Sequence, residues 1–493
     1  MKYRRLQKNR GSVLIQAFVF GVIAVIMVGA LVSWAKTNIQ ASRVGVYREQ
    51  ALQIAEAGID YYRWHLAHAA TDYHDGQAAT TTGPYVHDFY DKDGTKIGTF
   101  SLTITPPATG FTLVKVKSVG SVVSDPSVTR AIQVQLAIPS LAKYAVVAND
   151  NMRFGEGTEV FGPIHSNGGI RFDGLAHNII TSAQASYDDP DHSGGVEFGV
   201  HTHLNTPVSN GVNDTYRSAE APPNAVPNRT DVFEAGRQFP VPAADFVGIT
   251  TDLAQIKANA QASGKYLPSS GAQGYKIVFK TNDTFDVYKV NNLMSAPNGC
   301  TNSAGQTGWG TWTIKTTGNN NTTLIGNYAI PSNGLIFVED NVWVEGQINT
   351  ARATLAVGKF PDNAATRPSI TVNNNLLYTN YDGQDVLALI AQGDINVGLG
   401  SADSLRIDAA LIAQNGRTGR YYYSSNCGSG YQRDDITLYG MIASNIRYGF
   451  AYTDGTGYDA RNIIYDANLL YGPPPSFPLT SDQYQTISWE EVK

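Results

Sequence analysis

Cysteine, charge and, in the body of the chain, basic residues are what this sequence has least of. Its two cysteines, Cys300 and Cys427, cannot build a structural zinc site by themselves. Charged residues make up 16% of the 493, while glycine (48) and tyrosine (27) are abundant. That balance suits strands and tight turns and argues against a helical bundle. The net charge is −6, but Lys2, Arg4, Arg5, Lys8 and Arg10 load the first eleven residues with no acid among them. The remaining side chains therefore sum to −11, which speaks against a body that binds nucleic acid. Phosphate-loop, dinucleotide and nucleophile-elbow patterns are absent, and no cofactor is implied. The length exceeds one ordinary core, so two or three folded units are expected.

A long apolar run comes first. Residues 12–35 carry no charge and as a helix span about 36 Å, enough to cross a hydrocarbon core of roughly 30 Å. The basic tip is expected to stay cytoplasmic, placing everything after Lys36 outside. A simple signal anchor fits. A cleavable signal fits less well because the run is long, although Ser33-Trp34-Ala35 offers a small-x-small site. Beyond the run, Val44, Tyr47, Ala51, Leu52, Ala55, Ile59, Tyr62 and Leu66 recur mostly at three- and four-residue steps. One helix is therefore expected from residue 12 to about 69, apolar all round at first and amphipathic later. For an exported body, a Cys300–Cys427 disulfide and two free thiols both stay open.

A basic leader ending at Gly11, directly before an apolar helix that starts at Ser12, resembles the type IV pilins and pseudopilins. Ala55-Glu56-Ala57-Gly58, followed by Ile59, resembles the end of the PilX-type minor pilin N-terminal region. The likeness covers about the first seventy residues. It implies a prepilin peptidase that cuts after Gly11 and methylates Ser12, and association with other pilin-like subunits in the membrane. It also implies a glutamate as the fifth mature residue. Here that position is Gln16, whose neutral amide cannot pair as an ion with a neighbour's terminal amine. The departure favours a minor or priming subunit over a major one.

Residues 70–98 read as a loop, with Asp93-Gly94 as a hairpin turn in preference to a calcium loop, whose later glutamate is missing. Strand-like runs follow at 99–105, 111–118 and 129–138. The expected fold is α+β and pilin-like at the N terminus, a small antiparallel sheet covering the amphipathic half of the helix, followed by an all-β domain. The expected divisions are a leader over 1–11, a transmembrane helix over 12–35, its continuation over 36–70, the sheet over 71–140, and the all-β domain over 141–493 with a loop and helix insertion around 185–330.

In that domain short apolar runs each close on small polar residues. Residues 145–148 close on Asn149-Asp150-Asn151, Ile164 on His165-Ser166-Asn167-Gly168, and 441–443 on Ser444-Asn445. Runs at 335–338, 387–391 and 411–413 end alike. Ile390 to Ile412 is 22 residues and Ile412 to Ile442 is 30. Such spacing suits coils of a parallel β-helix, with asparagines stacked at the bends; a β-sandwich is the alternative. Residues 185–240 read as long surface loops. Residues 243–263 read as a helix with Phe246, Ile249, Leu253, Ile256 and Ala260 on one face.

Three sets of residues are candidates for chemistry. His192, His201 and His203 lie near Asp188, Asp189, Asp191 and Glu197, and His201-Thr202-His203 would put both rings on one face of a strand, as a metal site could use. The stretch reads as an irregular loop, so solvated histidines are the plainer expectation. Asp394, Asp403, Asp408, Asp434 and Asp435 are the candidates for the carboxylate cluster of a polysaccharide lyase or hydrolase, but turn roles account for them and no enzyme is expected. Tyr421-Tyr422-Tyr423, Tyr431, Trp309, Trp312 and Trp343 could present a surface for glycan or protein ligands, or pack as core. The expected role is a minor pilin-like protein for adhesion or pilus assembly. Its N-terminal helix would sit in the inner or cytoplasmic membrane and its body outside, at the cell surface or pilus tip. A plain anchored surface protein outside any filament, and a surface polysaccharide enzyme, are the alternatives.

Overall fold

The computed structural model describes residues 12–108, 111–205, 218–246, 248–479 and 483–492. Gly11 and the rest of the basic leader lie outside the described residues. The chain forms two compact units, one built from residues up to Pro107, Leu113–Ala137 and Gln483 onward, the other from Ala108–Thr112 and residues 138–482.

The first unit is organised by one continuous helix, α1 (Ser12–His68). Its first half leaves every large apolar side chain from Val13 to Trp34 at least 43% exposed, and the helix is long and apolar enough to cross a membrane. Its second half buries Ala51, Ile54, Ala55, Ile59, Tyr62 and Leu66 on an antiparallel sheet. That sheet runs β1 (Tyr85–Tyr90), β2 (Lys96–Thr105), β3 (Val114–Val122), β4 (Asp125–Ala137), and finally the strand Gln485–Val492. Phe100, Leu102, Val116, Val134 and Leu136 supply the facing side. Helix and sheet meet closely at Gly58 and Gly120: a Cβ on Gly58 would stand 2.8 Å from the Phe100 ring, and one on Gly120 would stand 2.6 Å from the Ala55 amide nitrogen.

Two expectations are corrected here. The loop expected over 70–98 contains β1. Its inward positions include His87, stacked on Phe100 at 5.1 Å and bonded to Asp75 at 2.6 Å, so the apolar alternation that marks a strand is broken. Residues 485–492, placed within the all-β domain by the expected division 141–493, form the strand Gln485–Val492, which pairs instead with β4. There Arg130 binds Glu491, and Gln133 donates to Glu490 at 2.8 Å.

The second unit is a large all-β part in which parallel pairing dominates. One row of ten strands is threaded by the register Gln238–Thr181–His165–Val147–Ala443–Ile412–Ile390–Ala356–Phe337–Tyr266. Ile412 thus pairs with Ile390, but its partner on the other side is Ala443, one place from Ile442. A second row follows Tyr275–Val342–Ile370–Ile395–Thr418, and a third follows Leu376–Ile407–Leu438–Ile463–Val160–Ala176. Residues facing inward from the rows, such as Leu355, Leu389, Leu411, Ile395 and Ile463, share one apolar core.

The first row is apolar on its other face as well. Phe337, Ala356, Ile390, Ile412, Ala443 and Val147 belong there to a second apolar cluster, completed by Leu253, Ile256 and Ala260 of α2 (Gly248–Ser263), which lies against the strands of Tyr266, Phe337 and Ala356, and by Leu141, Leu469 and Phe477. Covering both faces is why its strands read as unbroken apolar runs such as Val386–Ala391. The helix expected over 243–263 begins at Gly248. The region 185–330, expected as an insertion, supplies both ends of the row through Arg237–Gln238 and Lys265–Leu267. At the bend after the row Asn445, Asn149 and Asn167 stack, with side-chain hydrogen bonds of 3.1 and 2.8 Å.

Candidate metal centre

At one end of the second unit a three-stranded parallel sheet joins Met152–Phe154, Ile170–Phe172 and Val200–His201. The short strands Ser186–Tyr187 and Glu197–Phe198 pair antiparallel beside it. The even spacing of Glu197, His201 and His203 along extended chain turns them to one side. Gly199, in the same phase, admits no side chain, since a Cβ there would overlap the Gln184 carbonyl. The turn between the paired strands brings Asp189 and His192 against them, and one ligand atom from each of the five residues lies within 4.8 Å of all the others.

The three imidazole Nε2 atoms converge on Glu197: His192 at 2.8 Å and His201 at 3.0 Å from Oε2, and His203 at 3.0 Å from Oε1. Asp189 Oδ2 stands 3.6 Å from both His192 and His201. The expectation of solvated loop histidines is overturned. The side chains of His201 and His203 are 0% exposed and that of His192 is 9%, because the antiparallel pair folds the turn back over them. Among the described residues, Asp189 Oδ2 and His201 Nε2 are buried and align no hydrogen bond.

A surrounding layer fixes the cluster. Arg171 binds Asp173 at 2.6 Å and reaches Asp189 at 3.7 Å, while Asp173 accepts from the His203 amide at 2.9 Å and from the Thr202 hydroxyl at 3.3 Å. Asp191 is engaged elsewhere, by both guanidinium nitrogens of Arg447 at 2.9 and 2.7 Å, and Asp188 is exposed. Burial works against ionisation of Asp189, yet the facing His201 ring, the Asp191 amide and Arg171 outweigh it and hold the carboxyl at about 2. Glu197 is lowered as well, burial again being opposed by the facing imidazoles, that of His201 foremost. Burial pulls His201 down, and its two carboxylate neighbours raise it further than that. Three imidazoles and two carboxylates converging in a closed site make a donor set suited to a first-row transition dication.

The other candidates fall apart from this cluster. Cys300 and Cys427 form a disulfide inside a small core of Leu399, Tyr421 and Tyr423, flanked by Trp309, Trp312 and Tyr431. Tyr421 and Tyr423 are buried in that core, and Trp343 is buried outside it, so these three rings are not the aromatic display surface considered for ligands. Trp343 does line a cleft of about 820 Å³ with Lys276, Glu345, Asn373 and Asn374. Asp394 accepts from Tyr421 at 3.0 Å, Asp403 binds Arg433, Asp408 accepts from Tyr381 at 2.7 Å, Asp435 accepts from Ser404 at 2.5 Å, and the Asp434 amide donates to the Asp403 carbonyl. Gln16 lies on the exposed first half of α1.

No family model matches the sequence, and no curated protein matches it. Among solved structures the chain is similar to that of the competence-associated pilin ComZ from Thermus thermophilus. The identity is 14%, over 90% of this chain and 97% of that one, with a TM-score of 0.29. A likeness of that size assigns neither fold nor function.

Proposed function

We propose that the chain is a minor pilin-like surface protein. The observation that carries this reading is the division of labour within α1: a bare apolar half of membrane-spanning length, continuous with a half packed on an antiparallel sheet. The bare half needs a low-dielectric surrounding, either lipid or the packed helices of other subunits. The leader that ends at Gly11 supports cleavage before Ser12, and Gln16 in place of an acid supports a minor or priming position. The body is read as a parallel β-helix, supported by the three parallel rows and the asparagine stack, and it acts by display outside the membrane, in adhesion or in assembly of the filament. No catalysis is assigned. The individual hydrogen bonds of Asp394, Asp403, Asp408 and Asp435 support turn and strand roles for them.

The test is N-terminal mass spectrometry of protein extracted from membranes of cells with an active prepilin peptidase. A methylated Ser12 terminus that disappears in Gly11→Ala is expected; an intact leader in the native protein sinks the proposal. Co-purification with pilin subunits separates it from the plain anchor that the absence of an acid at Gln16 also allows.

A further inference from the structure

We propose that Asp189, His192, Glu197, His201 and His203 bind one first-row transition dication of the zinc class, which clamps the turn at 188–196 onto the end of the second unit. The inference stands on the donor geometry and is independent of the pilin-like reading. Five ligand atoms within 4.8 Å of one another, three of them imidazole nitrogens, make a mixed nitrogen and oxygen set. Calcium and magnesium take oxygen ligands, whereas imidazole selects zinc and its neighbours. The side chains are 0–9% exposed, and burying two carboxylates together is costly unless a cation compensates them. The facing imidazoles and Arg171 supply part of that compensation, and Arg171 makes its shorter contact with Asp173. Asp189 Oδ2 and His201 Nε2, both buried, point into the cluster without a hydrogen bond of good alignment, the condition in which a donor can turn its lone pair to a metal.

The clamp has a mechanical meaning in this fold. The strands Ser186–Tyr187, Glu197–Phe198 and Val200–His201 are two residues each, too short to hold themselves by ladder bonds alone. A dication would tie the turn, one strand of the antiparallel pair and the end of the parallel sheet to a single point. Asp173 is the positioning residue, since it holds the His203 backbone and Arg171 together. A closed donor shell of this kind is structural, not catalytic.

The full chain, purified in detergent without a histidine tag, would be stripped with chelator and titrated with ZnCl₂ and with CoCl₂. We expect one equivalent of either metal to bind, a cobalt ligand-field spectrum of nitrogen and oxygen type, and a rise in melting temperature on zinc addition. Asp173→Asn should weaken zinc binding roughly 10- to 100-fold, His201→Ala with His203→Ala should abolish it, and His177→Ala, outside the cluster, should leave it unchanged. The wild-type cobalt spectrum needs no variant to fold. Stripped wild-type protein of native circular dichroism that takes up neither zinc nor cobalt overturns the proposal, and so does uptake of CaCl₂ in preference to both.

Discussion

A glycine-to-alanine pair tests how α1 meets its sheet. At Gly120, on β3, an added Cβ would fall on the Ala51 carbonyl and 2.6 Å from the Ala55 amide nitrogen. Both are helix backbone atoms, so no rotamer change relieves them. Restoring an ordinary separation of about 3.5 Å requires the helix to retreat by about 1 Å, loosening Ala51, Ala55 and Tyr62 together. Overpacking of this kind costs about 1–3 kcal/mol. Gly45, on the unpacked stretch of the same helix, has nothing within 4 Å, and alanine there should stabilise the helix by up to about 1 kcal/mol. Calorimetry of the detergent-solubilised chain, following the transition of the first unit, should therefore move in opposite directions. At roughly 2–4 °C per kcal/mol for a unit of this size, Gly120→Ala should fall by about 2–12 °C while Gly45→Ala holds or rises. A Gly120→Ala protein that melts at or above the wild-type temperature would refute close helix–sheet contact as the organising feature of this unit.

Two further outcomes can be checked by denaturation. The Cys300–Cys427 bond closes a loop of 127 residues, so Cys300→Ser with Cys427→Ser should lower the stability of the second unit by about 2–4 kcal/mol; a denaturant midpoint unchanged from wild type contradicts this. Asp466 is buried, and burial raises its carboxyl above the ordinary 3.8, opposed by bonds from Asn468 and Tyr439. The folded state therefore holds this proton more tightly than the unfolded one, so the contribution is present below pH 3.8 and lost as pH rises through the folded value. Asp466→Asn should accordingly gain on wild type at neutral pH, the difference closing towards pH 4; a difference independent of pH would refute it.

The helix of the first unit was legible because its signal is local. An uncharged run followed by Ala51, Ala55, Ile59, Tyr62 and Leu66 at helical steps needs no knowledge of partners. The polar closings were legible for the same reason, since Asn149, Asn167 and Asn445 each follow an apolar run, and they meet in one stack. What escaped is long-range. Nothing near Val147 says that its neighbour is Ala443, and nothing near Trp489 says that it pairs with Val134. The donor cluster was half visible. The histidines and their acidic neighbours stand out in the sequence, but two-residue strands carry no periodicity. Even offsets join Glu197 to His201 and His203, but nothing in those offsets distinguishes a buried site from the solvated loop that was expected.

The placement of Val146–Ala148 in its row bears on how the protein is made. That strand is laid down early yet sits in the interior, between Ile164–Ser166 and a partner 296 positions further along. One flank of it stays unsatisfied until residues 442–444 have left the ribosome. The sheet carried by α1 waits longer still, for residues 485–492. The first unit therefore cannot finish before residues 138–482, which belong to the second, have been made. A nascent product interrupted between residues 166 and 442 therefore presents two raw strand edges, at Val146–Ala148 and at β4, the kind of surface that chaperones hold and proteases remove. Closure of the ten-strand row and of the sheet carried by α1 thus falls late in synthesis, after residues 442–444 and 485–492 respectively.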